Sequence, residues 1–352
     1  MKRSLILFLS VCCIAFSVQA QEDEFDDFDI SQFEEAGSTL KAFCTNKVLG
    51  QSPSPLLSFA YDFQGPSDIT TGINEGFQEE TGEVQYNSGF RFNGNFPIVS
   101  RNNILINLGV NYVQHGYSFT TEDMASPFLR SIQERSLKWF NTNLTIFKPL
   151  NEKRFILAQI GAELNGDYNF GDFQSLSTVR IPAALIYGFK PDDNLMWGPG
   201  VSRTYLGGSL NILPVVYYYQ TFDNDKWGIE ALFPARIQGR YRFNSRNVLL
   251  MGYQVEGATY RIGQFNDFPG AAALNVNDNI ELRRSEIRAG LTYTRGLNDF
   301  IWVGVQGGYR LNYEFNLDEG EFFRGFDSED YFIENELTNA LYLQVSLSLV
   351  SP

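Results

Sequence analysis

Apolar and polar residues alternate with a period of two along many segments of this chain. In the first long segment, one face consists of Val84, Tyr86, Ser88, Phe90 and Phe92, and polar residues or glycine occupy the positions between them. Aliphatic residues alternate with tyrosine, glutamine and serine in the same way from Leu341 to Leu349. This period is typical of a β-strand that has an apolar environment on one face and water on the other. The pattern therefore predicts an all-β fold.

Further faces of this kind recur from Pro55 onward, and the segments between them alternate in length. Short turns are expected near residues 100–103, 151–153, 192–194, 223–225, 245–247 and 297–299. Long connections are expected near residues 64–82, 116–136, 263–281 and 314–335. Such alternation is a signature of outer-membrane barrels. We therefore expect a transmembrane antiparallel up-and-down β-barrel with short periplasmic turns and long extracellular loops.

Counting the amphipathic segments from both ends predicts about 14 strands, with 12 and 16 as alternatives. The alternatives arise in the segment from Trp227 to Phe243, which keeps one parity throughout. This segment could be one long strand or two short strands that separate at Pro234, because proline is tolerated only at strand ends, edges or bulges. Two strands there make the total even, as bacterial single-chain barrels require.

The residues before the first strand divide into two parts. Residues 1–20 have a positively charged start, an apolar run and a small-residue cleavage site, which together predict a removable signal peptide. Residues 21–52 form an acidic segment that we expect to be disordered in the periplasm. Docking to a periplasmic partner and folding into the barrel mouth are its alternatives. The barrel is assigned to residues 53–352, and Cys44 is expected to be a free thiol near its entrance, with a reactive thiol or partner link as the alternative.

Composition narrows the location and the partners. After the leader, no run of 18 consecutive apolar residues occurs, so a membrane-spanning form of this chain has to be a closed barrel. A net charge of −14 argues against nucleic acid as a partner, because phosphate binding needs a basic surface. An aromatic content of 15% suits the interfacial girdles of barrels. We expect a protein of the cell outer membrane, in contact with its lipid and lipopolysaccharide.

Charged and amide side chains recur on the inward positions of the later strands. These candidates for the lining of the lumen are Arg236, Gln238, Arg240, Arg242, Gln254, Glu256, Arg284, Glu286, Arg288, Gln306, Arg310 and Glu314. A turn centred on Asn298 places Glu286 opposite Arg310, and one centred on Arg246 places Arg236 opposite Glu256. Opposite charges across a strand pair are favourable. The lining either stiffens the barrel through ion pairs or admits small solutes, with the arginines favouring anions.

The sequence offers little support for catalysis or for a metal. The single histidine, His115, is expected on the inner face near the second long loop, with Ser118 close by in sequence and no identifiable carboxylate to orient it. No Cys/His spacing suits zinc. The acidic residues of the loop at 316–330 could hold Ca²⁺ or Mg²⁺, although a solvated loop is the expected state. We expect no enzyme activity, no metal and no cofactor.

The stretch from Tyr205 to Ile262 resembles a family of Gram-negative outer-membrane β-barrel proteins of unknown function. The resemblance is carried by residues 206–208, 213–215, 227–234, 240–243 and 256–262, which read Leu-Gly-Gly, Leu-Pro-Val, Trp-Gly-Ile-Glu-Ala-Leu-Phe-Pro, Arg-Tyr-Arg-Phe and Glu-Gly-Ala-Thr-Tyr-Arg-Ile. It implies a barrel fold and an outer-membrane location, and it supplies no activity or catalytic residues.

These observations together favour a passive role for the barrel. We expect a small-solute channel or a structural barrel with a charged lumen. The alternative is a surface-binding or adhesin-type barrel that acts through its long loops. A soluble exported β-protein or a barrel enzyme is the third interpretation. A periplasmic partner for the acidic segment is also possible.

Overall fold

The structure is a computed structural model that describes residues 43–72, 79–120, 126–168, 179–205, 210–262, 280–319, 331 and 333–351. The expected signal peptide, the acidic residues 21–42 and parts of the expected long loops lie outside these ranges. The described residues form the helix α1 (Pro127–Arg135) and the strands β1 (Pro55–Gln64), β2 (Ser67–Thr71), β3 (Glu80–Arg101), β4 (Ile104–Phe119), β5 (Leu137–Pro149), β6 (Arg154–Gly166), β7 (Ala183–Phe189), β8 (Leu195–Thr204), β9 (Asn211–Thr221), β10 (Trp227–Phe233), β11 (Arg236–Asn244), β12 (Asn247–Arg261), β13 (Ile280–Gly296), β14 (Ile301–Glu319), β15 (Asn335–Leu337) and β16 (Ala340–Val350).

The strands close into an antiparallel barrel. Strand β1 pairs with both β3 and β16, and β3 to β14 pair in sequence order, so the ring contains every described strand except β2 and β15. These two short strands pair with each other beside β3. The ring therefore has the expected fourteen members. The segment from Trp227 to Phe243 forms the two strands β10 and β11, which separate at Pro234.

The outward faces of the strands form an apolar belt. Its exposed side chains include Phe59, Tyr61, Leu185, Met251, Leu291, Val305, Leu343 and Val345. Soluble proteins rarely leave so much apolar surface in water, whereas a lipid bilayer makes this exposure favourable. The outward parity predicted for the last strands is thus confirmed. No helix in the described ranges is long and apolar enough to cross a membrane.

Two β-bulges shift the predicted alternation by one residue. In β3 the pairing slips between Val84 and Tyr86, so Val84, which we assigned to the lipid-facing side, is buried inside the barrel. In β14 the pairing skips Tyr313, so Phe315 and Leu317 point inwards. A bulge adds one residue to one strand and reverses the faces beyond it, and a repeating pattern does not reveal this.

The two ends of the barrel differ in the length of their connections. One end, the turn end, carries connections of two to five residues at 102–103, 150–153, 190–194, 222–226, 245–246 and 297–300. The other end, the loop end, carries the long connections. Two connections depart from the expected alternation, because at the loop end β8 and β9 are joined by the six residues 205–210 and β10 and β11 by Pro234 and Ala235 alone.

The wall of the barrel is lower on one side. Strands β7 to β11 have 7–11 residues, whereas β3 to β6 and β12 to β14 have 13–22. At the loop end β6 and β12 meet across this low side, where Gly166 pairs with Arg261 and the Asp167 amide donates to the Arg261 carbonyl at 3.2 Å. A Cβ atom on Gly166 would lie 2.6 Å from that carbonyl oxygen. The contact therefore requires glycine.

An apolar core fills the interior at the loop end. Helix α1 contributes Phe128, Leu129 and Ile132, which are fully buried against inward residues of β4, β12, β13 and β14. The ring of Phe128 lies 5.9 Å from that of Phe315. The helix ends at Arg135, and the Ser136 amide donates to the Ile132 carbonyl at 3.1 Å. This core covers the barrel interior from the loop end.

Candidate functional site: the barrel interior

Seven charged side chains form a layer inside the barrel, next to the loop-end core. Its members, which we call the charged layer, are Asp62, Arg91, Glu256, Arg284, Glu286, Arg288 and Arg310. The Arg284 Nε donates to the hydroxyl of Tyr117, a residue of the loop-end core, at 3.1 Å. The charged layer therefore adjoins the apolar core directly.

Glu286 is the central acid of the charged layer. Its Oε2 lies 2.7 Å from Arg284 Nη2, and its Oε1 lies 2.6 Å from Arg288 Nε. Arg310 is more distant, with Nη1 at 3.9 Å, and also donates to the Gln64 side chain. Arg288 continues the network, because its Nη1 lies 2.7 Å from Asp62 Oδ2. One buried carboxylate is thus surrounded by three arginines.

Arg91 joins opposite parts of the barrel wall. It extends from β3, where its Nη2 lies 2.9 Å from Asp62 Oδ2 on β1 and 2.7 Å from Glu256 Oε2 on β12. Strands β3 and β12 are separated along the ring by β1, β16, β14 and β13. The Arg91–Glu256 ion pair therefore crosses the lumen. Arg284 and Tyr117 make a second crossing, from β13 to β4.

The predicted cross-strand partners of these charges are wrong in register. Glu286 lies opposite Asn312, and Arg288 lies opposite Arg310. Arg236 lies opposite Gln254. The turn between β13 and β14 is centred one residue later than Asn298, which shifts the facing partners by two positions. Opposite charges consequently meet along a strand or diagonally, within reach of long side chains.

A second buried ion pair lies nearer the turn end. Arg240 is fully buried, with Nη1 2.8 Å from Glu230 Oε1 and Nη2 2.5 Å from Thr221 Oγ1. The same Glu230 oxygen accepts a hydrogen bond of 2.8 Å from the Ser52 amide. The pair therefore ties the chain that leads into β1 to the opposite wall.

A cavity of about 510 Å³, which we call the chamber, occupies the interior between the charged layer and the turn end. One side of the chamber is lined by Asn111, Asn143, Thr145 and Gln159 of β4 to β6. The other side is lined by Tyr219, Glu230, Arg236 and Gln238 of β9 to β11. Residues 51–55 also border the chamber. Gln159 stays exposed although it points inwards, because it borders this cavity.

Residues 43–54, which we call the N-terminal strap, lie inside the turn end. Cys44 and Val48 are buried against Phe155 and Met196. The Cys44 amide donates to the Asn151 carbonyl at 3.1 Å, and the Leu49 amide donates to the Asp193 carbonyl at 2.8 Å. This part of the segment assigned to residues 21–52 thus differs from a disordered tail, because it has apolar side chains to bury, whereas the acidic charges precede it.

Cys44 lies within the strap as a buried free thiol. Its Sγ donates to the Arg154 carbonyl at 3.6 Å. Burial raises the pKa of the Cys44 thiol, with Lys190 opposing that shift. Since the thiolate is the nucleophilic form, the thiol is held in its less reactive state.

The remaining predicted lining residues divide between the interior and the outside. Gln254 donates to Glu256 Oε1 at 2.8 Å, and Gln306 donates to the Tyr342 hydroxyl at 3.1 Å, both inside the barrel. Arg242 points inwards near Gly50 of the strap. The prediction for Glu314 is wrong, because the bulge at Tyr313 turns it to the outer face, where it accepts a hydrogen bond of 2.7 Å from the Tyr331 hydroxyl.

The prediction missed several interior residues that the strand parity could have identified. Asp62 and Arg91 alternate with the outward aromatic residues of β1 and β3, so both occupy inward positions. Glu230 occupies the corresponding position in β10. The strap, in contrast, has no alternation that would reveal its docking.

The groups considered for catalysis do not meet. His115 points inwards and is buried, and its Nδ1 has no hydrogen-bond partner among the described residues. Ser118 lies on the opposite face of β4, where its hydroxyl donates to Gln85 Oε1 at 3.4 Å. In the described ranges no group of three or more His, Cys, Asp or Glu side chains could hold a metal ion. Most of the acidic loop at 316–330 lies outside those ranges.

Several solved structures align with most of the chain at low similarity. The COG4313 outer membrane channel from Pseudomonas putida F1 is 9% identical, with a TM-score of 0.39 over 87% of this chain and 98% of that chain. The P. putida toluene transporter TodX is 8% identical, with a TM-score of 0.32 over 85% and 90%. The Escherichia coli outer membrane protease OmpT is 9% identical, with a TM-score of 0.28 over 85% and 98%. No curated protein sequence matches the chain.

The sequence itself matches one protein family. The family is described as "Domain of unknown function (DUF6268)", and the match covers residues 78–350. This range includes the barrel from β3 to the end of β16. The chain therefore belongs to the DUF6268 family.

Proposed function

We propose that the protein is an outer-membrane channel for small polar solutes that is closed in the state described here. The observation that carries this proposal is the chamber of about 510 Å³ inside the barrel. Barrels of 16–18 strands leave an aqueous channel, whereas barrels of about eight strands fill their interior with side chains. This barrel instead keeps a polar cavity between the N-terminal strap on one side and the charged layer on the other.

The apolar belt supports insertion into a membrane, since only helices and closed barrels satisfy every backbone group in lipid. On this proposal the belt contacts outer-membrane lipid, the turn end faces the periplasm, and the loop end faces lipopolysaccharide. The solute then enters and leaves through the two ends. A surface-binding role would depend on residues 263–279 and 320–330, which lie outside the described ranges.

The charged layer and the loop-end core together close the barrel. Conduction therefore requires a second state in which the crossing contacts of Arg91 and Arg284 are broken. Such a state is populated according to its free energy relative to the closed state. Weakening a contact that exists only in the closed state shifts the population towards the open one.

Single-channel recording of the refolded protein in planar bilayers tests this function. The wild-type protein should show brief, discrete current steps. The double variant Arg91→Ser/Glu256→Ser, which removes the crossing ion pair, should stay open longer. The matched control is Arg246→Ser/Asp299→Ser, because this exposed turn-end pair has the same N–O distance of 2.7 Å.

Two outcomes would contradict the proposal. Folded wild-type protein and the Arg91/Glu256 variant could both remain silent in potassium chloride, which would assign the barrel a structural role. Alternatively, the Arg246/Asp299 control could open as readily as the Arg91/Glu256 variant, which would show that the charged layer does not close the lumen. Heat-modifiable migration on gels verifies that each variant has folded.

A further inference from the structure

We propose that the chamber binds a small, hydroxyl-rich monocarboxylate of the size of a sugar acid, with its carboxylate on Arg236. This inference rests on the proposed channel function, since it names the class of solute that the chamber would admit. A volume of about 510 Å³ lies within the range of pockets that hold small molecules.

The charges of the chamber leave one cation available. Glu230 is already paired with the buried Arg240 and accepts the Ser52 amide. Arg236 donates to the Tyr219 hydroxyl at 2.8 Å and has no carboxylate partner among the described residues. Its planar guanidinium can donate two parallel hydrogen bonds to a carboxylate, which makes arginine well suited to this group.

The wall opposite Arg236 offers amide groups and a hydroxyl. Asn143 donates to Asn141 at 2.8 Å, and Gln159 donates to both Asn143 and Thr145 at 3.2 Å. Within the described part of the chain, the side-chain oxygens of Asn111 and Gln159 accept no hydrogen bond. An amide both donates and accepts, and a hydroxyl does the same, so this wall is complementary to a polyol.

Among the described residues that line the chamber, Glu230 is the one acid, and it is paired with Arg240. Glu163 of β6 is not among the lining residues, and it accepts a hydrogen bond from Asn141 at 3.3 Å. Arg242 lies on the same inner face of β11 as Arg236, four residues beyond Gln238 in the direction of the turn end. It has no carboxylate partner among the described residues. An anion that enters from the turn end therefore passes one arginine before it reaches the other.

Calorimetric titration of the folded protein in detergent tests the proposal with three probes. Glucuronate and glucose share a ring and hydroxyl groups, and acetate supplies the carboxylate alone. Glucuronate should bind at least about tenfold more tightly than either, since both halves of the site contribute. Arg236→Gln should reduce glucuronate binding to the level of glucose, whereas Asn143→Leu should weaken glucose and glucuronate alike. The control Arg246→Gln, at an exposed turn, should leave binding unchanged.

The remaining outcomes overturn the inference. Equal binding of glucose and glucuronate excludes recognition of the carboxylate, equal binding of acetate excludes the amide wall, and an absence of binding excludes the site. These results are distinct from a failure of the channel function, because potassium chloride current steps do not depend on a bound sugar acid. A channel that conducts but binds none of the probes would retain the proposed function and lose this solute class.

Discussion

Glu286 lies within 3.9 Å of three arginine side chains in the barrel interior, and all three are buried. Removing one member of a buried ion pair leaves the other charges uncompensated, which costs about 3–5 kcal/mol. Glu286→Gln leaves Arg284 and Arg288 without their shortest contact. We therefore expect this substitution to lower the free energy of unfolding by about that amount, measured by urea titration of the protein folded in detergent micelles.

The control for this prediction is Asp299→Asn. This substitution breaks the ion pair with Arg246, whose members are more than half exposed, and exposed pairs contribute only about 0–1 kcal/mol. The double variant Glu286→Gln/Arg284→Gln removes one surplus cation and should be no less stable than Glu286→Gln. Equal losses for Glu286→Gln and Asp299→Asn would mean that the charged layer is open to water.

At the residue scale, the sequence assigns inward positions correctly where no bulge intervenes, but it does not assign partners. Parity alone placed Arg284, Glu286 and Arg288 inside. Their partners depend on the register, which is set by the turn at 297–300, and an error of one residue in its centre moves each facing partner by two. The ion pair between Arg91 and Glu256 crosses the closed ring. A local sequence pattern does not predict a contact between two residues that are so far apart in the chain.

Among the strands, β13 allows the lipid-facing parity to be tested directly. Leu291 is 49% exposed on the outer face, and its neighbour Thr292 lies opposite Gln306 on the inner face. Arginine at a lipid-facing position near the bilayer midplane costs about 2–4 kcal/mol. Leu291→Arg should therefore destabilise the barrel by about this amount in lipid vesicles, and Thr292→Arg should destabilise it less. Equal losses measured by denaturant titration would contradict the assigned faces.

The contact between β6 and β12 depends on Gly166. A Cβ there would lie 2.6 Å from the Arg261 carbonyl oxygen, and overpacking of this kind costs about 1–3 kcal/mol. Gly166→Ala should therefore separate the strands and increase hydrogen exchange at the Asp167 amide. The control Gly239→Ala meets no atom closer than 3.7 Å. Unchanged exchange at Asp167 in the Gly166 variant would show that the contact is not maintained in solution.

At the scale of elements, strands were predictable and irregular features were not. The period of two identified the segments and, through Pro234, the division into β10 and β11. Helix α1 was missed because its three buried residues, Phe128, Leu129 and Ile132, lie in a polar stretch between two amphipathic strands. The bulges of β3 and β14 were missed because each involves a single extra residue.

In the molecule as a whole, both ends of the barrel are occupied by chain that does not belong to its wall. The loop end contains α1, and the turn end contains the N-terminal strap. The strap is held by two buried apolar side chains and by hydrogen bonds to the turns of the barrel. On the proposed function, access to the chamber from the turn end therefore depends on how often the strap dissociates from the barrel interior.

Cys44 reports on this movement, because it is the one cysteine in the described part of the chain and lies in the strap. Its thiol is buried, and burial raises its pKa, so a water-soluble maleimide should react slowly at neutral pH. Val48 is 4% exposed, whereas the adjacent Leu49 is 59% exposed. Burying an aliphatic side chain contributes about 1.5–3 kcal/mol, which corresponds to about a tenfold to hundredfold change in the docked population.

Val48→Asn should therefore increase the labelling rate of Cys44 by about tenfold or more, and Leu49→Asn should leave it unchanged. The labelling rate of both variants should rise with pH, since the thiolate is the reacting form. At each pH the rate should be higher in the Val48 variant, because its thiol is exposed more often. Equal rates for the two variants would show that apolar burial does not hold the strap. In that case the strap would be held by its hydrogen bonds, which join the Cys44 and Leu49 amides to the turns of the barrel and the Ser52 amide to Glu230.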